Sequence, residues 1–371
     1  MIYLDNAATT PLTPSVINSI AEVMTEDFGN PSSIHAFGRK ANHRLRQNRQ
    51  IIADYLSTNP RQIIFTSGGT ESNNTAIKGY ALANQAKGKH LITTEIEHHS
   101  VLHTMQYLEE RFGFEVTYLK PENGRITADS LKKALRDDTI LVSMMFANNE
   151  TGDLLPIAEV GQILKDHQAV FHVDAVQAFG KVSINPEELG IDFLSASAHK
   201  FHGPKGVGIL YTTPLHFDNL LHGGEQEEKR RASTENMIGI AGMAQALSDS
   251  QAHQADNWKH ISQLKETFLS ELEGLDFYVN ATDKVMPYVV NIGFPGQNNG
   301  LLLTQLDLSG FAISTGSACT AGTVDPSHVL MSMYGKDSAR LQESIRVSFS
   351  DVNTIEEVTQ LAQKLKEIVG K

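Results

Sequence analysis

Short apolar runs alternate with helix-forming segments between residues 60 and 212. The apolar runs have the length of buried strands, and the segments 70–83 and 100–111 between them have the pattern of helices. Strands that alternate with helices predict an α/β fold, in which helices cover a mostly parallel sheet. The predicted strands are 62–66, 90–94, 140–145, 169–173, 193–195 and 207–211.

A different pattern follows in the last third of the chain. A long amphipathic segment, 256–275, predicts a helix that leads into a second domain, and a helix at 354–369 closes the chain. We therefore expect a large domain from 13–250 and a smaller α+β domain built from 1–12 and 251–371. The strands predicted for the smaller domain are 288–292, 312–314 and 345–349.

Polar side chains cluster directly after the predicted strands of the large domain. In an open α/β sheet, ligands bind at the edge where the carboxyl ends of the strands meet. Hydroxyl, imidazole, carboxylate, amide and ammonium groups are therefore expected to converge on one site. The polar clusters are 67–71, 95–99, 148–150, 174–177 and 195–200.

Composition and charge narrow the classes of function. The formal net charge of -12 argues against nucleic acid as the main partner, because binding phosphates requires a positive surface. No apolar stretch approaches the roughly 20 residues that cross a bilayer, and the first residues lack the pattern of a secretion signal. Cys319 is the only cysteine, which excludes an intrachain disulfide and a multi-thiolate metal site and favours the cytoplasm.

Asp174 and Lys200 lie at the ends of two apolar strands. A partly buried Asp174 needs a cationic partner or several hydrogen bonds, so a purely structural ion pair with Lys200 is one interpretation. The other is pyridoxal phosphate, with Asp174 on the ring nitrogen and Lys200 holding the aldehyde as a Schiff base. Segment 67–71 runs from a strand into a helix, and its N–H groups with the Thr70 hydroxyl would cradle the phosphate.

Other chemistries fit the sequence less well. Ser197 and Lys200 match the S-x-x-K pattern of serine acylases, but the companion motifs S-D-N and K-T-G do not occur. His99 and His103 have the spacing of helical metal ligands without an H-E-x-x-H motif, and we expect no metal site. A basic turn without any chemistry also remains an interpretation of the segment 195–206 taken alone.

Eight short motifs are spread over nearly the whole chain: 4–10 (LDNAATT), 28–32 (FGNPS), 67–72 (SGGTES), 97–100 (EHHS), 148–152 (NNETG), 172–177 (HVDAVQ), 199–206 (HKFHGPKG) and 316–320 (GSACT). In this order they resemble the NifS/IscS-type cysteine desulfurases, which are pyridoxal-phosphate enzymes of the class V aminotransferase group. The resemblance implies the fold-type I architecture, a homodimer and pyridoxal 5′-phosphate as cofactor.

The resemblance also implies roles for the residues that bind the cofactor. Lys200 matches the lysine that forms the Schiff base and moves the α-proton of the substrate. His98 matches the histidine that stacks on the ring; on the residues alone, a helix-capping histidine is the alternative interpretation. Asp174 matches the partner of the ring nitrogen, and Gln177 matches the donor to the ring oxygen. The phosphate ligands implied are Gly69, Thr70, Ser197 and His199.

Two further residues match groups that contact the substrate. The resemblance places Asn149 near the ring and Arg346 at the substrate carboxylate. Arginine suits a carboxylate because its planar fork donates two hydrogen bonds. Arg346 alternates with the apolar Ile345 and Val347, so periodicity alone would put it on the solvated face of a strand.

Cys319 decides which reaction the resemblance implies. A free cysteine is more often a small buried hydrophobe than a nucleophile, but its surroundings at 315–323 are small, polar and glycine-containing, which is typical of a mobile loop. In the implied mechanism the Cys319 thiolate attacks the sulfur of L-cysteine, keeps it as a persulfide and leaves alanine. A thiol with a pKa of about 8.5 needs a base at neutral pH, and His98 is a candidate. The predicted catalytic residues are Lys200, Cys319 and His98.

The segment 223–234 departs from the family pattern, because Ser233 stands where the family has glycine. Thr234 matches the threonine that reaches the phosphate bound by the neighbouring subunit of the dimer. The chain also ends soon after its last predicted helix, without the tail that some members use to dock an iron–sulfur scaffold. The implied partner is a sulfur acceptor, either an iron–sulfur scaffold or an enzyme of tRNA thiolation or thio-cofactor synthesis.

Three alternatives to a cysteine desulfurase are open. A selenocysteine lyase or another class V aminotransferase would share the cofactor residues without needing Cys319. A non-catalytic sulfur-relay protein would keep the fold alone. The presence of Lys200, Asp174 and His98 together argues against the last alternative.

Overall fold

The computed structural model describes residues 1–316 and 326–370. Within them the strands form one large sheet and two small ones. The strands are β1 Ile2–Tyr3, β2 Ile63–Thr66, β3 His90–Thr94, β4 Glu115–Leu119, β5 Thr139–Met145, β6 Val170–Asp174, β7 Phe193–Ser197, β8 Gly208–Thr212, β9 Tyr278–Val279, β10 Val289–Gly293, β11 Phe311–Ala312 and β12 Ser344–Ser348.

Helices cover the large sheet and pack on the antiparallel sheet β12-β10-β9. Short 3-10 turns occur at Pro60–Gln62 and Ala198–Lys200, and a π-helical turn occurs at Thr75–Gly79. The α-helices are α1 Pro14–Glu26, α2 Ala36–Tyr55, α3 Gly69–Asn74, α4 Tyr80–Asn84, α5 His99–Phe112, α6 Ala128–Ala134, α7 Ile157–Leu164, α8 Gln226–Lys229, α9 Met237–Ala252, α10 Gln254–Glu271, α11 Asn299–Leu308, α12 His328–Tyr334, α13 Arg340–Glu343 and α14 Ile355–Val369.

The large sheet has seven strands in the order β2-β8-β7-β6-β5-β3-β4. Strand β8 runs antiparallel to both of its neighbours, and the other pairs are parallel. Strands β5 to β8 are buried along their whole length, as expected for a sheet with helices on both faces. The predicted α/β fold class, with a mostly parallel sheet covered by helices, is confirmed.

Two apolar cores lie on opposite faces of this sheet. Ile63 and Phe65 of β2 belong to the core that α1, α2, α7 and α9 cover, while Ile64 between them belongs to the core under α4 and α5. Helices α1 and α2 and the edge strand β4 are additional to the elements that the sequence pattern predicts. The predicted strands begin and end within two residues of the observed ones.

The predicted helix 70–83 is interrupted in the structure. The π-helical turn Thr75–Gly79 separates α3 from α4. The Thr75 hydroxyl donates to the Glu71 carbonyl at 2.8 Å, a bond that bends helices. Gly79 lies so close to another segment that a Cβ there would be 2.5 Å from the Asp218 carbonyl oxygen. The helical segment from 69 to 84 is therefore irregular where it packs closely against the neighbouring chain. Apolar periodicity alone does not predict this interruption.

A third core lies around the antiparallel sheet β12-β10-β9. Helices α10, α11 and α14 pack on it, and so do Leu4 and Ala7 from the N-terminus. Strand β1 pairs in parallel with β11, and Asp5 forms a bridge to Ser348. The N-terminal segment is thus joined to the C-terminal third of the chain. The predicted domain boundaries, 13–250 against 1–12 with 251–371, stay a prediction.

Candidate active site

A cavity of about 340 Å³ opens at the carboxyl edge of the large sheet. The segments that follow β3, β5, β6 and β7 form its walls, together with the N-terminus of α3, residues 7–8 and one residue of β12. Because the carboxyl ends of parallel strands meet at one edge of a sheet, the polar residues that follow them were expected to lie together here. Ten of the predicted site residues line the cavity: Gly69, Thr70, His98, Asn149, Asp174, Gln177, Ser197, His199, Lys200 and Arg346.

Lys200 reaches the cavity from the 3-10 turn that follows β7. Its Nζ donates to the carbonyl oxygens of Ala7 at 2.6 Å and Ala8 at 2.8 Å. The N-terminal segment therefore holds the amine at the cavity wall. The sequence does not identify these two carbonyls as part of the site, because they are almost 200 residues away in the chain.

Asp174 ends β6 and is only 5% exposed. Its carboxylate accepts hydrogen bonds from Asn73 Nδ2 at 2.7 Å and from the Val176 backbone N–H at 3.0 Å. These bonds satisfy much of what a buried carboxylate requires. Asn73 is a site residue that the sequence analysis missed. Its position one helical turn after Thr70 was a signal that could have identified it.

His98 is both the cap of helix α5 and a residue of the cavity. Its Nδ1 accepts from the Ser100 backbone N–H at 3.1 Å, which assigns the ring proton to Nε2 in the neutral form. Burial lowers the pKa of His98; the Asp174 carboxylate opposes this shift and the Lys200 ammonium reinforces it. The imidazole is therefore neutral at neutral pH and able to accept a proton.

His199 is also neutral. Burial lowers its pKa to about 4, and the positive charge of Lys200 acts in the same direction. Its Nδ1 lies 3.2 Å from the Thr9 hydroxyl. His199 thus offers a hydrogen bond to a bound group and no positive charge.

The wall predicted to bind phosphate is built from glycine backbone. Gly68 has a φ of +146°, a conformation that favours glycine. A Cβ on Gly69 would lie 2.6 Å from a methyl carbon of Val176, so the start of α3 comes as close to the neighbouring loop as a glycine allows. Ser197 lies buried beside this wall, and Thr70 is exposed at its rim.

Arg346 is almost completely buried, with 1% of its surface exposed. Its guanidinium forms an ion pair with Asp5 at 2.8 Å and donates to the Asn149 carbonyl at 2.9 Å. The buried Nε has no hydrogen-bond partner among the described residues. The periodicity-based interpretation of Arg346 as a solvated residue is wrong, because segments more than 190 residues away fold over it.

The other two predicted site residues are Cys319 and Thr234. Cys319 lies outside the described residues. Thr234 is exposed on the loop after α8 and does not line the cavity. In the same loop, Ser233 has a φ of 95°, a conformation that costs a residue with a side chain more than glycine. An ion pair between Arg231 and Glu71, 2.8 Å long, ties the loop to α3.

Glu97 is a second missed residue next to the site. Its carboxyl accepts from the Thr94 hydroxyl at 2.7 Å and from the Met145 backbone N–H at 3.0 Å. Burial raises its pKa to about 8, so the carboxyl is mostly protonated at neutral pH. Its place immediately before His98 in a polar cluster was a signal, but its burial was not predictable.

The described residues contain neither a metal-ligand cluster nor a membrane-spanning helix. Over residues 1–316 and 326–370, no three His, Cys, Asp or Glu side chains come together as metal ligands would. His99 and His103 stack on each other with ring centres 5.0 Å apart. Within the same residues, no helix combines the length and apolarity that a membrane span needs.

A strand-end lysine and a buried carboxylate facing one cavity in this fold are typical of a pyridoxal-phosphate enzyme. The chain belongs to the aminotransferase class-V family, whose model matches residues 2–361. Within it, the chain is of the NifS/IscS cysteine desulfurase type, as its motifs predicted. The expected cofactor, pyridoxal 5′-phosphate, is confirmed by this membership.

Three individual proteins illustrate the similarity. A Bacillus subtilis (strain 168) protein named putative cysteine desulfurase IscS 1 is 48% identical, over 100% of this chain and 99% of the relative. A solved structure of a NifS-like protein has a TM-score of 0.93 at 36% identity and covers 100% of this chain and 99% of that one. A structure described as SspA in complex with cysteine has a TM-score of 0.85 at 35% identity, with 95% and 100% covered.

Proposed function

We propose that this protein is a cysteine desulfurase that removes sulfur from L-cysteine, releases L-alanine and holds the sulfur as a persulfide on Cys319. The observation that carries the proposal is the convergence of Lys200, Asp174 and neutral His98 on one cavity that also contains the buried Arg346. The relatives named cysteine desulfurase, 42–48% identical over nearly the whole chain, support the same reaction.

The residues around the cavity fit pyridoxal phosphate. A lysine amine, a buried carboxylate, an imidazole and a glycine-walled helix start are the groups that this cofactor requires. The buried Nε of Arg346 and Oδ1 of Asn73 lack partners among the described residues, as expected where a polar group is to bind. When bound, the cofactor supplies an electron sink for charge that develops at the substrate α-carbon.

We propose a role for each of the residues that would contact the cofactor. Lys200 would hold the cofactor aldehyde and afterwards move the substrate α-proton with its Nζ. Asp174 would keep the ring nitrogen protonated, since Asn73 and Val176 fix its carboxylate in place. Gln177 and His98 would contact the ring. The phosphate ligands would be Gly69, Thr70, Ser197 and His199.

The substrate carboxylate has a fitting partner in Arg346. The arginine is held by Asp5 and the Asn149 carbonyl, so its orientation is fixed before substrate arrives. A buried guanidinium binds a carboxylate strongly because little water competes. Asn149 lines the cavity beside it and would contact the substrate or the ring.

Sulfur transfer would depend on Cys319. Its thiolate attacks the substrate sulfur, so that an S–S bond forms as the Cβ–S bond of the substrate breaks. Neutral His98 is suited to take the thiol proton, and Lys200 to return a proton to the carbon skeleton. The persulfide would pass to an acceptor protein of iron–sulfur cluster assembly, tRNA thiolation or thio-cofactor synthesis, and we place this activity in the cytoplasm.

The proposal is tested by incubating the purified protein with pyridoxal phosphate, L-cysteine and a reductant, and measuring alanine and sulfide. Equal amounts of the two products are expected. L-Serine in place of L-cysteine serves as the control and gives no alanine, because it carries no sulfur for Cys319 to attack. Absence of alanine from L-cysteine with the cofactor bound would contradict the proposed reaction.

We further propose that the protein is a homodimer in which Thr234 serves the neighbouring cavity. Phe28 and Phe37, with ring centres 5.3 Å apart, are 67% and 56% exposed, and Ile34 between them in the chain is 91% exposed; neighbouring exposed apolar side chains are typical of an interaction surface. Ile34→Asp is expected to lower the mass measured by light scattering to that of a monomer. Leu308→Asp, at another exposed apolar residue, is the control and leaves the mass unchanged. A dimeric Ile34→Asp protein would contradict this placement of the interface.

Asp174→Asn is expected to lower alanine formation by more than about a hundredfold, beyond the effect of a single hydrogen bond to a charged group. The amide cannot stabilise a protonated ring nitrogen, so the electron sink is weakened, whereas the Schiff base with Lys200 still forms. Initial rates with L-cysteine measure the effect. Asp192→Asn is the control: the Asp192 carboxylate also accepts a backbone hydrogen bond, from the Phe171 N–H, but does not line the cavity. A near-normal rate for Asp174→Asn would mean that the ring nitrogen has another partner.

A further inference from the structure

Lys181 is a buried lysine next to the cavity to which the sequence analysis assigns no role. It is 8% exposed. Its Nζ lies 3.5 Å from Gln177 Oε1 and 4.9 Å from the centre of the Tyr288 ring. Burying an ammonium group is costly unless it is paired. The groups that Lys181 contacts should therefore explain why a lysine is buried here.

The backbone around Lys181 is fixed against the segment that carries Lys200. Gly180 has a φ of +78°, and a Cβ there would lie 2.8 Å from the ring of Phe201, the residue after Lys200. The Gly180 N–H donates to the Tyr55 hydroxyl at 3.0 Å. Lys181 and Lys200 also line the same small cavity. The position of Lys181 relative to the site is therefore well defined.

Gln177 connects the two lysines. Its Oε1 faces Lys181, and its Nε2 donates to the Ala7 carbonyl at 3.0 Å. The same carbonyl accepts from Lys200 at 2.6 Å. A glutamine amide has an acceptor at one end and donors at the other, so a cation beside one end determines the orientation of both. If the amide turned over, its Nε2 would face the Lys181 ammonium and its Oε1 would face the Ala7 oxygen.

We propose that Lys181 is a positioning residue that holds the Gln177 amide with its Nε2 directed to the Ala7 carbonyl and the Lys200 side of the cavity. The inference rests on the proposed function, in which Gln177 donates to the oxygen of the cofactor ring. A donor for that oxygen is needed at Nε2, and Lys181 excludes the opposite orientation. Lys181 thus acts through Gln177 and does not touch the cofactor or the substrate.

The charge state of Lys181 supports this role. Burial lowers its pKa to about 7; the positive charge of Lys200 acts in the same direction and Asp351 opposes it. An amine donates a hydrogen bond whether or not it is charged, since the neutral form keeps two N–H groups. The neutral amine also carries an acceptor lone pair, so it is the ammonium form, favoured below about pH 7, that excludes the flipped amide.

The test is a double-mutant cycle on cofactor affinity, measured by titrating the apoprotein with pyridoxal phosphate. Lys181→Met and Gln177→Leu are each expected to weaken binding by about tenfold, the effect of one hydrogen bond to a charged group. The double variant is expected to bind as Gln177→Leu does, within about twofold, because Lys181 has nothing left to position. Effects that multiply to about a hundredfold in the double variant would overturn the proposal.

Two further measurements distinguish positioning from mere structural support. Lys181→Arg keeps a cationic donor over the Tyr288 ring and is expected to restore the wild-type affinity to within about threefold. The pH midpoint of the cofactor absorption is expected to shift in the same direction in Lys181→Met and Gln177→Leu. A folded Lys181→Arg protein as weak as Lys181→Met, or opposite spectral shifts, would contradict the role. The proposed function is checked separately. If the wild-type protein forms alanine from L-cysteine, a contradicting result for the variants concerns only the role of Lys181.

Discussion

Cys319→Ala is expected to reduce alanine formation from L-cysteine to a trace while leaving cofactor binding unchanged. Lys200, Asp174 and Arg346, which we propose to bind the cofactor and the substrate carboxylate, line the cavity, and none of these proposed roles requires the thiol. Substrate therefore still binds and its α-proton is still moved. The Cβ–S bond does not break at a useful rate, because no nucleophile takes the sulfur. Rates of alanine release and absorption spectra with L-cysteine measure the two effects separately.

The same variant distinguishes a desulfurase from a selenocysteine lyase. Selenium leaves more readily than sulfur and does not need a protein thiol, so a lyase with Cys319→Ala stays active on selenocysteine. In the wild-type protein, brief exposure to L-cysteine followed by alkylation and mass spectrometry is expected to show one additional sulfur on Cys319. The assignment is unambiguous because Cys319 is the only cysteine. Wild-type turnover of L-cysteine by the alanine variant would exclude Cys319 as the acceptor.

Lys200→Met is expected to reduce alanine formation by at least about 10⁴-fold, because the variant lacks the amine that we propose to form the Schiff base and to move the α-proton. Methionine is an unbranched side chain of similar size, so a loss of activity would be due to the missing amine. The apolar side chain also leaves the carbonyls of Ala7 and Ala8 without the donor they have in the wild type. Initial rates with L-cysteine measure the change.

Lys205→Met is the matched control for this prediction, because Lys205 is an exposed lysine five positions further along the same segment. It is expected to retain activity to within about twofold. Borohydride reduction of the wild-type holoenzyme and peptide mapping are expected to locate the pyridoxyl group on Lys200. A label on Lys205 or on Lys181 would overturn the assignment of the Schiff-base lysine.

The positions of the strands could be predicted because each is a short apolar run bounded by polar residues. The convergence of Lys200, Asp174 and His98 followed from the same pattern, since Asp174 ends a strand and the other two follow strands of the mostly parallel sheet within four residues. The roles of Gln177 and Cys319 came only from the resemblance to a family. Neither apolar periodicity nor residue spacing assigns a role to a single glutamine or cysteine.

The long-range contacts were not predictable from the sequence. The alternation around Arg346 suggested a solvated side chain, yet the residue is buried because Asp5 and the Asn149 carbonyl enclose it. Asn73 and Lys181 were missed for a similar reason: their significance depends on which side chain faces them, Asp174 in one case and Gln177 in the other.

The sequence by itself therefore determined the α/β class, the edge of the sheet that binds a ligand and, through its motifs, the cofactor and the reaction type. These depend on local periodicity and on the order of short motifs, which the chain carries in linear form. The tertiary structure decided the ionisation and orientation of the site. Burial makes His98 and His199 neutral, and distant segments hold Lys200 and Arg346 in place. Desolvation and hydrogen-bond partners depend on three-dimensional surroundings, so no linear pattern specifies them.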